Sequence, residues 1–149
     1  MLGYLTLPVT PFQQNCSIVW CDPSMEAALI DPGGDLPAMR QAVQRLGVDL
    51  LKILLHPAHI DHAGGSAELA REAALPIVGP HPADQCWIDV LFAGSMGRTD
   101  FPGGDHDTLL SSIGQRLWPI GDDTVFIPGH RPESTFGAER RSNPYVGGT

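Results

Sequence analysis

The chain has no long apolar run, no basic stretch, no internal repeat and no low-complexity linker. Each absence removes a class of function. A bilayer-spanning helix needs about 20 consecutive apolar residues, and none are present. The first residues also lack the basic-then-apolar pattern of a secretory signal. Positive charge is scarce: Lys and Arg total 9 against 17 Asp and Glu, a net charge of −8. That balance argues against nucleic acid as a partner, because phosphate binding needs a basic surface. Cysteine is scarce too. Cys16, Cys21 and Cys86 are an odd number with no C-x-x-C spacing, which fits neither a disulfide framework nor a zinc-thiolate site. Buried or half-buried reduced thiols in a cytoplasmic protein are the expectation.

Turn residues are plentiful, with 17 Gly and 14 Pro in 149 residues, which suits a sheet-based protein better than a helical bundle. The length predicts one domain, 1–149, with room for a core. Cys16 to Trp20 and Glu26 to Ile30 read as two strands of a hairpin around Cys21-Asp22-Pro23-Ser24, and Asp31-Pro32-Gly33-Gly34 ends the second. Apolar residues at Leu36, Met39, Val43 and Leu46 have helical spacing, with Gly47 as the stop. Leu50 to Leu55 predicts a buried strand. Ser66 to Ala74 predicts a helix with Ser66 as N-cap, and Pro76 to Val78 a short strand. Thr108 to Trp118 predicts a helix with Leu109, Leu110, Ile113 and Leu117 on one face, and Thr124 to Ile127 a last strand. Strands alternating with helices give an α/β (α+β) class. Gly33-Gly34 and Gly103-Gly104 are expected at positive φ rather than as phosphate cradles.

Chemistry concentrates at Leu55-His56-Pro57-Ala58-His59-Ile60-Asp61-His62-Ala63-Gly64-Gly65 and at Ile127-Pro128-Gly129-His130. Three ligand-type side chains fall within four positions just after a strand, and a fourth histidine follows another strand. Imidazole nitrogens and a carboxylate, rigidly placed, suit a divalent transition metal. His-x-Asp-His resembles the H-x-H-x-D-H signature of metallo-β-lactamase-fold hydrolases. FQQNCSIVW, ALIDPGGD, ILLHPAHIDHAGG, DVLFAGSMGRTDFPGGDH and FIPGHRPESTFGAER resemble, in order, segments of the glyoxalase II-like branch of that superfamily. They span most of the chain from Pro11 to Tyr145.

The resemblance implies an αββα sandwich with a two-metal site, and hydrolysis of thioesters, lactones, β-lactams or phosphodiesters. It makes His59 a ligand of the first metal, Asp61, His62 and His130 ligands of the second, and Asp89 the bridging carboxylate. Two departures stand out. Pro57 occupies the place of the first signature histidine, and the run C-x-G-H-T-x-G-H with its flanking strands is missing between Trp87 and Asp89. Both ends of the chain match those of short family members, which makes the loss internal and the second sheet reduced. Site one then keeps His59 and a share of Asp89, where zinc takes about four ligands. Site two keeps Asp61, His62, Asp89 and His130. One zinc ion is therefore expected rather than two, with iron or manganese as alternatives. His56 as a substitute ligand is disfavoured, since neighbouring strand-end side chains point to opposite faces.

On the family template the metals lower the pKa of water and polarise the acyl carbonyl, while Asp61 orients the nucleophile. The implied function is a glyoxalase II-like hydrolase of a thioester or related small acyl substrate, with impaired activity. One rival reading is a non-catalytic metal-binding or inactive remnant. Another is a persulfide dioxygenase-like iron enzyme, which the damage to site one disfavours. Arg98 is a candidate for orienting an anionic substrate, while His81 and His106 fit structural roles. A sheet edge left bare by the missing strands would favour a homo-oligomer.

Overall fold

The computed structural model describes residues 1–56, 60–79, 90–100 and 104–148, without the side chains of residues 60 and 61. The chain forms two compact units, Met1–Gln85 and Cys86–Thr149.

The first unit is a five-stranded sheet in sequential order, β1 (Leu2–Val9), β2 (Gln14–Cys21), β3 (Glu26–Ile30), β4 (Asp49–Leu54) and β5 (Ile77–Val78). The expected hairpin is present, with Ser17 opposite Ile30 and Trp20 opposite Ala27. β1 was not expected. It pairs antiparallel with β2 along its whole length, Leu5 opposite Ile18 and Leu7 opposite Cys16. Its apolar residues alternate only weakly, so its strand character comes from the partner it packs on.

From β3 to β5 the pairing turns parallel, because helices make the crossovers. α1 (Leu36–Leu46) joins β3 to β4, and Gly47 ends it at φ 66. Asp35 precedes α1 without capping it. Its carboxylate instead accepts the Thr10 backbone N–H at 2.8 Å, tying the β1–β2 turn to the helix start. α2 (Ile60–Ala63) and α3 (Ser66–Ala73) lie between β4 and β5. Cys16, Ile18, Leu29 and Ile53 from the sheet pack with Leu36, Met39 and Leu69 from α1 and α3 into one core. Three parallel strands thus deliver their C-terminal ends, Asp31, His56 and Gly79, to one end of the sheet.

Some local expectations need correction. Gly65, not Ser66, precedes α3, and Ser66 Oγ is buried with no hydrogen-bond partner among the described residues. Positive φ in the Asp31–Asp35 turn falls on Asp31 (φ 51) and Asp35 (φ 53), not on Gly33 or Gly34. Gly103, whose carbonyl carbon also defines the φ of Gly104, lies outside the described residues. Cys16 is buried as expected, whereas Cys21 is exposed at the end of β2; Cys86 lies outside the described residues.

The second unit is built from short pieces. β6 (Leu91–Phe92) and β7 (Ser95–Met96) form a hairpin. α4 (His106–Ser112) starts where Asp105 accepts the Thr108 N–H at 2.7 Å, and runs on as a π-helical turn through Leu117. β8 (Val125–Phe126) pairs with β9 (Ser134–Thr135), and α5 (Phe136–Ser142) follows, its N-terminus capped by Thr135. Leu91, Leu109, Ile113, Trp118, Phe136 and Val146 form the core. The Phe136 ring stacks on Phe126 and meets Trp118 edge-on. The segments around Leu91 and Phe126 therefore share one core, yet each pairs with a strand of its own rather than with the other. Among the described residues no helix is long and apolar enough to cross a membrane.

Candidate metal centre

At the C-terminal end of the parallel strands, one carboxylate organises the histidine segment. Asp31 follows β3, and its backbone N–H donates to the Leu54 carbonyl at 2.9 Å, so its position is fixed by the ladder of β4. Its side chain is only 4% exposed. A carboxylate so deeply placed needs donors to offset lost hydration. It has two. Oδ1 accepts the His56 backbone N–H at 2.7 Å, and Oδ2 lies 3.1 Å from Nδ1 of His62, whose ring is fully buried.

The Asp31–His62 pair assigns the tautomer. A carboxylate can only accept, so Nδ1 carries a proton, and in the neutral ring the lone pair then sits on Nε2. Ligating histidines are held this way, one ring nitrogen on a carboxylate and the other on the metal. The donor chemistry of His62 therefore fits a metal ligand. Asp31 itself reads in the sequence as turn chemistry; the available signal was a carboxylate ending an apolar strand just ahead of a crossover. The half-exposed His56 ring has Nδ1 3.8 Å from Asp31 Oδ2, and Pro57 and His59, against which its face would be judged, lie outside the described residues.

The segment is braced behind His62. Gly65 N–H donates to the Pro32 carbonyl at 2.9 Å, and a Cβ on Gly65 would stand 2.7 Å from that oxygen and from Leu36 Cδ2. Only glycine permits this approach. The same carboxylate acts on Cys16. Burial first, and then the negative charge of Asp31, push its thiol up to about 12. Cys16 also contacts Met39, its Sγ 3.2 Å from the thioether sulfur. A neutral, enclosed thiol is packing material, not a nucleophile.

The other candidates fall as follows. His59 and Asp89 lie outside the described residues, as does His81. Asp61 lies within α2, one residue before His62, and its side chain is not among those described. His130 is half-buried in the loop joining β8 to β9 in the second unit. Among the described residues no three His, Cys, Asp or Glu side chains are grouped to hold a metal. Arg98 is exposed and forms a two-pronged pair with Asp100, Nε at 2.9 Å and Nη2 at 2.7 Å. Those hydrogen bonds raise the guanidinium further and lower the Asp100 carboxyl. His106 is exposed at the first position of α4.

Residues 9–85 match the profile of the Metallo-beta-lactamase superfamily. Hydroxyacylglutathione hydrolase GloC of Haemophilus influenzae is 31% identical, the match covering 94% of this chain and 96% of that protein. The match runs over 204 positions against the 149 residues here, so GloC carries several tens of residues with no counterpart in this chain. BLEG-1 B3 metallo-beta-lactamase superposes with a TM-score of 0.87 at 26% identity, over 98% of this chain and 100% of that one. TTHA1623, solved in a di-iron-bound form, gives 0.80 at 27% identity, over 95% and 99%. The mixed sheet-and-helix fold, the histidine segment and these matches agree: the chain belongs to the metallo-β-lactamase superfamily.

Proposed function

We propose that this chain is a metal-dependent hydrolase of glyoxalase II type, acting on a thioester or related acyl substrate with less activity than a relative that has both metal sites. The observation that carries the reading is the buried Asp31–His62 pair, which gives His62 the tautomer and fixed orientation of a ligand. The name of the 31% identical relative, a hydroxyacylglutathione hydrolase, supports the substrate class. Asp61, His62, Asp89 and His130 would hold one zinc, iron or manganese ion, zinc being the first choice for a set of imidazole and carboxylate donors. A bound ion supplies Lewis-acid activation of water and polarises the acyl carbonyl.

The chain's own residues do the rest. Asp31 holds His62 against rotation and, in the neutral ring, places the proton on Nδ1 and so leaves Nε2 as the donor atom. Asp61, beside His62 in α2, would orient the attacking water and accept its hydrogen bond. Gly65 and Pro32 brace the backbone so that these positions do not drift. Pro57 offers no side-chain donor where the family has a histidine, so the oxyanion of the acyl intermediate has weaker electrostatic support, and that is the source of the lowered rate. The odd cysteine count without C-x-x-C spacing favours a reducing, cytoplasmic setting.

The test is hydrolysis of a panel of small thioesters by the purified chain, with and without a chelator, beside Asp61→Ala. Slow turnover that a chelator abolishes, and that falls at least 100-fold in the variant, is expected for loss of a water-orienting carboxylate. Turnover indifferent to chelator would refute the metal-dependent mechanism. Metal binding without turnover of any thioester would favour the rival reading, a non-catalytic metal-binding remnant.

A further inference from the structure

The turn joining β1 to β2 has features that the chemistry proposed above does not use. Phe12, near its tip, is 70% exposed. A single exposed apolar side chain is ordinary, but the backbone that presents this one is not. Thr10 and Gln13, on either side of Pro11 and Phe12, both take positive φ, 62 and 55. For a β-branched residue such as Thr10 that conformation is an outlier, kept only where the surroundings impose it. Here they do. The Thr10 N–H donates to the Asp35 carboxylate at 2.8 Å, the Gln13 N–H to the Thr10 carbonyl at 3.1 Å, and the Phe12 N–H to the Thr10 hydroxyl at 3.3 Å. Gln14, the next residue, is fully buried. The ring is exposed, yet the backbone beneath it is tied down.

The place of this turn in the fold gives the ring a use. β2 runs antiparallel to β3, with Ser17 opposite Ile30, so the first residues of β2 flank the Asp31–Asp35 turn. The two turns touch. Asp35 accepts the Thr10 N–H, and a Cβ on Gly34 would lie 3.0 Å from Thr10 Cγ2. Asp31, at the other end of that second turn, orients the His62 ring. α2, which carries His62, also packs against β2. All of these residues belong to the first unit. An aromatic ring on a tied backbone thus stands at the same end of the sheet as the candidate ligand His62.

We infer that Phe12 is a specificity-determining residue whose ring contacts the apolar acyl chain of the substrate. The inference rests on the hydrolase reading above and narrows its substrate class to thioesters with a medium-length aliphatic or aromatic acyl chain. An exposed ring gains from burial only when such a chain covers it, and an acetyl group is too short to do so. Fixing the turn in advance lowers the ordering cost of the contact, which gives the strained Thr10 conformation a function. Phe12→Ala removes the ring and keeps the backbone N–H bond to Thr10. Asp35→Gly keeps the ring, removes the acceptor that holds Thr10, and suits the positive φ at position 35.

The experiment compares kcat/KM for octanoyl and acetyl thioesters of one thiol in the wild-type chain, Phe12→Ala, Phe12→Leu and Asp35→Gly. Alongside it, calorimetric titration measures octanohydroxamate and acetohydroxamate binding to the same chains loaded with Zn²⁺, with circular dichroism to confirm folding. The wild-type chain is expected to favour the octanoyl member of each pair. That preference should fall about tenfold in Phe12→Ala, stay largely intact in Phe12→Leu, and weaken in Asp35→Gly. An unchanged octanoyl-to-acetyl ratio of kcat/KM in Phe12→Ala would overturn the inference and leave the hydrolase reading standing. Absence of turnover of any thioester by the wild-type chain would defeat the hydrolase reading by itself. A hydroxamate preference that is missing from the wild-type chain, or unchanged in Phe12→Ala, would overturn the inference whatever the turnover.

Discussion

At the scale of single residues, Asp31 bears the most on function, because one buried carboxylate fixes both the His56 backbone and the His62 ring. Asp31→Asn keeps the shape but replaces one acceptor by a donor. If the amide faces His62, Nδ1 must accept, the proton moves to Nε2, and the ring can no longer ligate. If it faces His56, two N–H groups oppose each other. Metal affinity should fall about 10- to 100-fold, with about 1–3 kcal/mol of stability lost, read by calorimetric titration and urea unfolding. Unchanged affinity would remove Asp31 from the account. Cys16 gives a second residue-scale expectation. With its thiol pushed up to about 12, it should resist alkylation at pH 8 in the folded chain while exposed Cys21 reacts, tested in a Cys86→Ser background by mass spectrometry. The sign for stability follows. Between the unperturbed thiol value of 9.0 and about 12 the unfolded chain loses a proton that the folded chain keeps, so stability falls as pH rises through that window. Cys16→Ala should flatten that part of the profile.

Among the elements, those that read correctly from sequence are the ones whose pattern is local. α1 appears at Leu36–Leu46 because its apolar period, Pro37 and Gly47 all agree, and the β2–β3 hairpin because its turn chemistry is unambiguous. β1, β7 and β9 were not legible: the first owes its form to β2, and the others are two residues long and exist through pairing. The site divides the same way. His62 stands out as a ligand type in a histidine-rich run, whereas Asp31 acquires its role only when distant segments are brought to it. The Asp31–Asp35 turn shows the limit of composition, since two aspartates and not its glycines take the left-handed conformation. Gly65 is where an element joint can be tested. Gly65→Ala places a methyl group against the Pro32 carbonyl and Leu36, and should cost about 1–3 kcal/mol by chemical unfolding. An unaffected midpoint would mean that the brace behind His62 is not rigid.

For the whole molecule, the family, the mixed fold and the shortened length relative to GloC fit together. On the proposed reading the chain holds one metal ion, because Pro57 and the residues that GloC has beyond this chain would both fall on the first site of the family template. Four of the expected ligands belong to the second site of that template. The most direct test is elemental analysis of the purified, folded chain after saturation with Zn²⁺ and removal of the excess. One equivalent of metal per chain is expected, lost on Asp31→Asn or His62→Ala at the same free-metal concentration. Two tightly held equivalents per chain would contradict the one-metal account.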